Sequence, residues 1–373
     1  MTTRKIVGQM FQPTKTRIAS HSSDKLAGMR LLSCLFACAL LTVAETTTTL
    51  IGDGTPGFDE RRVNNPYGLV IGPDGALYFC DVDNHAIRRL DLKTKKVTTI
   101  VGTGVKGNSG DGGKATEALV DQPYELRFDR GGNLFFVDRL GHVVRRVDKK
   151  TGIITNVAGT GQPGFGGDGG PAGEAQFKEP HSIVFDRSGA LLICDIGNHR
   201  VRRVDLKTST IETFLGTGER KSTPDGPAKG VAVNGPRAID VDDAGNLYLA
   251  LREGNTVHKI DPKGNITRIA GTGAKGLTGD GGSALAATLN GPKGVALSRD
   301  RMLYLADTEN HAIRRIDLKT GIITTVAGTG EKGDGPDGDP LKCKMNRPHG
   351  VFVDGKGNVY IGDSEAHRVR LLK

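Results

Sequence analysis

An all-β fold, a six-bladed β-propeller with four antiparallel strands per blade, is predicted by three features of the chain. Six prolines (Pro66, Pro123, Pro180, Pro236, Pro292 and Pro348) stand 57, 57, 56, 56 and 56 residues apart and open six segments of one plan. Each segment carries four short apolar runs, the signature of a radially repeated β-structure. The sixth segment stops one run short, and the missing run stands at the other end of the chain.

The runs are rich in Val, Ile, Leu, Tyr and Thr and are bounded by Gly, Asp and Asn. In the first segment they are Gly68–Ile71, Ala76–Cys80, Ala86–Leu90 and Val97–Val101. The first turn of a segment is Gly72-Pro-Asp-Gly75, with counterparts Asp129-Arg-Gly-Gly-Asn133 and Asp243-Ala-Gly-Asn246. Such residues tolerate the left-handed backbone of tight hairpins. No stretch has sustained helical periodicity.

The sixth segment ends with His367-Arg-Val-Arg-Leu-Leu372, its third run. Glu45-Thr-Thr-Thr-Thr-Leu-Ile-Gly-Asp-Gly54 aligns with the fourth run of segment five, Gly321-Ile-Ile-Thr-Thr-Val-Ala-Gly-Thr-Gly330. The N-terminal strand is therefore expected to close the C-terminal blade, which leaves no open edge.

Residues 45–373 make up the propeller, and what precedes them reads differently. Leu31–Ala44 is a 14-residue apolar run behind Arg30. It is too short to span a bilayer and shaped like a secretory signal cleaved after Ala44. Residues 29–44 are thus expected to be a signal segment and residues 1–28 a polar extension, with translation starting at Met1 or Met29. The mature chain is expected to be a secreted or periplasmic monomer without a membrane span. Residues 1–44 hold six Lys/Arg and one acid, so the remainder has 45 basic and 41 acidic residues and its net charge falls from +9 to +4. That small excess argues against nucleic acid as the partner. Cys80 and Cys194 occupy one strand position two blades apart, beyond disulfide reach, and no zinc spacing is present among the five cysteines.

The segment Asp81-Val-Asp-Asn-His-Ala-Ile-Arg-Arg-Leu-Asp91 and its copies resemble the NHL repeat. Asn-His stands at Asn84-His85, Asn198-His199 and Asn310-His311, the second and sixth copies keep His142 and His367, and the fourth departs with Gly254-Asn255. The resemblance implies a propeller over roughly residues 45–373, and its recurrent Gly-Asp-Gly-Gly loops are similar to those of exported bacterial members. It leaves activity open, because NHL propellers include protein- and RNA-binding modules and a peptide-amidating lyase.

Repetition separates scaffold from candidate site. Five histidines placed one per blade cannot converge on an ion, so they are expected to hold turns together with Asp81, Asp138, Asp195, Asp307 and Asp363. The paired arginines, Arg88-Arg89 through Arg314-Arg315, are expected to act between blades. The Gly-Asp-Gly-Gly loops are expected to be Asp-capped turns, since no helix follows to make a phosphate cradle and each brings one carboxylate where calcium needs six to eight oxygens.

The residue after each proline does not repeat: Tyr67, Tyr124, His181, Arg237, Lys293 and His349. These six are expected to ring the channel mouth on the face of the long crossovers, as solvated residues or as a recognition surface for a polar or anionic group. Blade 4 adds Arg252 and Glu253, where most copies keep the Asp-x-x-Asn-His pattern. No catalytic residue, metal or cofactor is assigned. His181 and His349 face each other without the further ligands zinc needs. The chain is expected to be a non-catalytic binder of a protein, peptide or glycan through the crossover face. The alternative is a divalent-metal hydrolase or lyase at the channel, gluconolactonase-like or amidating-lyase-like, for which Glu125 and Asp240 are the only nearby carboxylates.

Overall fold

The computed structural model describes residues 45–373. The polar extension and the signal-like run lie outside the described residues, as do Cys34 and Cys38. The described chain forms six antiparallel sheets. Their inner strands are Pro66–Ile71, Pro123–Phe128, Pro180–Phe185, Pro236–Val241, Pro292–Leu297 and Pro348–Val353, so every repeating proline opens one. Proline fits a strand's first residue because it has no N–H to give the ladder. The only helical pieces among the described residues are three-residue 3-10 turns, and none is long and apolar enough to cross a membrane.

Closure is as the sequence predicts. Thr47–Ile51 is the outer strand of blade 6, paired with Arg368–Leu372 in the register Thr47 to Leu372 and Thr49 to Arg370. Two further bonds, from Thr46 N–H to Lys373 O at 2.8 Å and from Lys373 N–H to Thr46 O at 3.0 Å, fasten the two ends.

The core lies between blades. Leu126 and Phe136 of blade 2 pack in one cluster with Ile183 and Ile193 of blade 3. Burying such side chains supplies about 25 cal/mol per Å² of apolar surface. Cys80, Cys194 and Cys343 are free and buried, where burial raises each thiol pKa and leaves it inert. At the channel, glycine lets neighbouring inner strands touch. A Cβ at Gly350 would stand 2.2 Å from the Tyr67 carbonyl oxygen, so the inner strands of blades 6 and 1 pass too close for any side chain.

The repeated polar residues form an internal frame. Asp81 accepts the Asn64 N–H at 2.6 Å and the Asn84 side-chain N–H at 2.9 Å, which ties the second strand to the crossover that leads into its blade. Asp195 and Asp307 repeat this with Lys178 and Asn198, and with Asn290 and Asn310.

Two expectations are corrected here. The paired arginines act mainly within their own blades, although Arg315 of blade 5 does reach Glu45, at the head of blade 6's outer strand, at 3.3 Å. The first of each pair is buried beside its own blade's aspartate, as Arg88 Nη1 lies 3.1 Å from Asp81, and the second turns to the opposite side, as Arg89 Nε donates to Asp74 at 2.7 Å. Neighbouring strand residues face opposite ways, so the two cannot share a partner. Nor do the Gly-Asp-Gly-Gly aspartates cap their own turns. Asp111, Asp168 and Asp280 reach across to the buried Arg145, Arg202 and Arg314 at 3.0, 2.7 and 2.7 Å. A buried guanidinium needs both carboxylates and carbonyls around it, and that need outweighs a local cap.

Candidate functional site

The ladder of each inner strand is irregular just after its proline, with register shifts between Pro66 and Leu69, Pro123 and Leu126, and Pro236 and Ala238. The residue after proline drops out of the pairing there and is free to turn toward the channel. Tyr67, Tyr124, His181, Arg237, Lys293 and His349 consequently line one cavity of about 360 Å³, and Arg252 and Glu253 of blade 4 line it too. The structure brings all eight sequence-selected residues together.

They are not loosely solvated. Tyr124, His181, Arg237, Lys293 and His349 are each at most 6% exposed, because they pack on one another. Tyr67 stacks on His349 at 4.1 Å between centroids and meets Tyr124 edge-on at 4.4 Å, and Tyr124 meets His181 edge-on at 4.5 Å. Edge-to-face pairing is the arrangement aromatic rings prefer. An aromatic arc thus runs over blades 6, 1, 2 and 3, and the cations of blades 4 and 5 complete the ring. Arg237 lies over the Tyr124 ring at 4.8 Å and donates to the Tyr124 hydroxyl.

Both histidines are held in one tautomer. The His181 Nδ1–H donates to Glu179 O at 2.6 Å and the His349 Nδ1–H to Arg347 O at 2.8 Å, which leaves each Nε2 as an acceptor. His349 Nε2 takes a hydrogen bond from Lys293 Nζ at 3.1 Å, and Lys293 also donates to Glu309 at 2.7 Å. Burial holds both imidazoles neutral, well below the usual histidine pKa, with nearby cations adding to the effect. Lys293 is pulled down to about 7 by burial and by Arg237, against the opposing pull of Glu309.

Sequence reasoning missed half of this mouth. Arg139, Lys178, Arg220 and Arg347 line it from the loops and bring the basic side chains to seven, against two carboxylates, Glu179 and Glu253. Several are balanced: Arg139 pairs with Glu179 at 3.0 Å and Arg347 with Glu309 at 2.7 Å. Arg237 is not. Its Nε is buried without a partner, and among the described residues no carboxylate ion-pairs with it. A signal was available, since Arg139 and Arg252 hold one position in the repeat, one residue past the second strand.

Below the mouth stand Glu125 and Asp240, which a divalent ion would require. Arg127 ion-pairs with Glu125 and also lowers the Asp240 carboxyl, both of which burial raises. Leu297 N–H donates to Asp240 at 2.8 Å. A guanidinium already ion-pairs one of the two acids and attracts the other, and no group of three or more His, Cys, Asp or Glu among the described residues is placed to hold an ion. The donor set does not fit a divalent cation.

Residues 126–373 match the family model described as SMP-30/Gluconolactonase/LRE-like region. The chain belongs to this family. Its repeats are NHL repeats: NHL repeat-containing protein 2 of Bos taurus is 29% identical over 312 residues, covering 74% of this chain and 42% of that protein. The chain spans less than half the length of that curated relative. Among solved propellers, this family member resembles an auxiliary nutrient binding protein from Bacteroides thetaiotaomicron, with a TM-score of 0.66, 17% identity and coverage of 88% of this chain and 76% of that one. A gluconolactonase from Xanthomonas campestris aligns with a TM-score of 0.56 at 12% identity, covering 87% of this chain and 88% of that one. At these identities the likeness is one of fold.

Proposed function

We propose that this propeller is a binding scaffold whose channel mouth takes an anionic group, a carboxylate, from a protein, peptide or glycan partner. The observation that carries the reading is Arg237, a buried guanidinium without a carboxylate, in a mouth where seven basic side chains meet two acidic ones. A buried cation that lacks its counter-charge is costly, and an incoming carboxylate would relieve that cost with charge-assisted hydrogen bonds. The aromatic arc beside it offers flat apolar surface for the rest of the ligand. Export of the mature chain, which the signal-like apolar run at residues 31–44 supports, and a monomeric state belong to the same proposal.

The test is calorimetric titration with D-glucuronate against glucose, and with acetyl-diglutamate against acetyl-diglutamine. Saturable binding of the acids alone, weakened at least tenfold by Arg237→Met, supports the reading. Equal binding of charged and neutral probes overturns it.

An enzymatic reading keeps one specific support, the contact of Lys293 with His349 beside an unshielded arginine. A lysine near neutral pKa and a fixed imidazole lone pair are the parts of a proton-transfer site. Turnover of a lactone or a carboxylate ester that is lost in Lys293→Met would favour it.

A further inference from the structure

Blade 4 departs from its sisters where each of them buries an arginine. In blade 3, Arg202 Nη2 reaches Asp168 at 2.7 Å and Gly166 O at 3.0 Å, and Nη1 reaches Gln176 O at 3.3 Å with Asp195 at 3.8 Å. Arg88, Arg145, Arg314 and Arg370 are buried in the same way. Strand register fixes the blade 4 counterparts. His258 pairs with Leu249 as Arg202 pairs with Ile193, and Leu251 pairs with Thr256 as Asp195 pairs with Arg200. Histidine thus replaces the arginine and leucine the buried aspartate, while Gly254 stands where blade 3 has Asn198.

Histidine for arginine and glycine for asparagine remove bulk and leucine removes the charge, and at this place lies a cavity of about 350 Å³, lined among others by Thr223, Asp225, Leu251, Thr256, His258 and Arg268. Its polar groups are what the missing guanidinium would have met. Asp225 is the counterpart of Asp168, and one of its oxygens accepts the Arg268 backbone N–H at 2.7 Å. The other oxygen has no donor among the described residues. His258 is 1% exposed, its Nε2 is 3.1 Å from Thr256 Oγ1, and its Nδ1 is buried without a partner. With Nε2–H donating to Thr256, Nδ1 is a bare acceptor. Thr223 Oγ1 donates to Ala232 O at 2.9 Å and so covers the carbonyl equivalent to Gln176 O. Arg268 is the one cation of the lining, and it is its backbone, not its guanidinium, that Asp225 holds.

We propose that this cavity binds a guanidinium group from outside, the group that the other five blades supply from their own chain. A flat ion with N–H donors around its edge fits spaced acceptors, and its weakly hydrated faces tolerate Leu251, whereas an ammonium gives a compact point charge and keeps its water. The neutrality of His258, whose pKa burial lowers to about 4, keeps Nδ1 available as an acceptor at pH 7.

The experiment is calorimetry on the full chain with agmatine, acetyl-arginine amide and the tripeptide Gly-Arg-Gly, against cadaverine and acetyl-lysine amide. Saturable binding of the guanidino compounds, at least tenfold tighter than of their amine counterparts, is expected. The double variant Leu251→Asp with His258→Arg rebuilds the sister-blade arrangement, and it should fold and lose the binding. Asp225→Asn, which keeps an acceptor for Arg268 N–H but removes the charge, should weaken binding at least tenfold and serves if the double variant does not fold. Binding of agmatine alone would identify a small free guanidine, and binding of the tripeptide as well an arginine side chain of a partner. No saturable binding of any guanidino compound, equal affinity for the amines, or undiminished binding by Asp225→Asn would overturn the proposal.

Discussion

The Nδ1 atom of His85 accepts the backbone N–H of Gln122 at 3.3 Å, so blade 1 holds the residue just ahead of blade 2's inner strand. The contact recurs around the ring: His142 with Glu179, His199 with Gly235, His311 with Arg347, and His367 with Asn65 across the closure. In blade 4 the side-chain oxygen of Asn255 does the same for Gly291 at 2.9 Å. All six residues sit in the left-handed region, with φ from 48° to 54°. The position therefore asks for an acceptor on a residue that tolerates positive φ, which histidine and asparagine provide. Replacing His311 by Ala should cost about 1 kcal/mol. His311→Asn should retain most of that, and His311→Val should cost more than Ala because a β-branched residue is strained at this φ. Chemical denaturation ranks the three, and an Asn variant no better than Ala would refute the latch.

Acid should open these latches. Burial lowers the pKa of His142, His199, His311 and His367 from 6.5. Folded protein then binds fewer protons than unfolded, so this stability is full above about pH 6.5 and is lost as pH falls toward the folded values. The buried Asp81, Asp195, Asp307 and Asp363, raised to about 6 by burial, have the opposite sign and lose stability as pH rises through that value. The whole-protein curve mixes the two, but a difference isolates the histidine. Between pH 7.5 and pH 5, His311→Asn should lose less stability than wild type, and identical losses would show that this histidine is not linked.

The ring was legible in the sequence because repetition is itself a signal: the prolines marked the strand starts, and Thr47–Ile51 was found by its likeness to Ile323–Ala327. The channel residues stood out because Tyr67, Arg237 and His349 occupy one position without repeating. What could not be read was how far each side chain travels. Arg237 leans across the channel to Tyr124 of blade 2, and the carboxylate of Asp168 reaches Arg202, 34 residues on. Such reach depends on burial and on the demand of a guanidinium for acceptors, neither of which a period reveals.

Anion binding at the mouth should weaken with rising pH. Lys293 is held at about 7 by burial, while Glu309 beside it is lowered to about 2: burial opposes this, but Arg347 and Lys293 hydrogen-bond the carboxylate. His349 stays neutral and Arg347 stays charged, and Arg237, which burial lowers to about 9, remains mostly charged over this range. Lys293 is then the group that changes charge near neutrality, and affinity for D-glucuronate should fall several-fold between pH 6 and pH 8.5. Lys293→Arg should bind with little pH dependence. A variant as pH-sensitive as wild type would place the titration elsewhere.

Arg127 is the buried cation that ion-pairs Glu125 and also attracts the carboxylate of Asp240, two blades away from it. Arg127→Met keeps the apolar length of the side chain and removes the charge, leaving both acids buried and uncompensated. Breaking such an arrangement costs about 3–5 kcal/mol. The loss should depend on pH in a definite direction. Without Arg127 the folded pKa values of both acids rise further above their unfolded ones, so the folded state gains protons where the unfolded state has none. Stability of the variant is then fullest at low pH and falls as pH rises through the raised values. The gap between wild type and Arg127→Met should narrow from pH 8 to pH 5 in urea unfolding. A gap that stays constant would mean that Arg127 acts by packing alone, and that the two acids below the mouth do not need its charge.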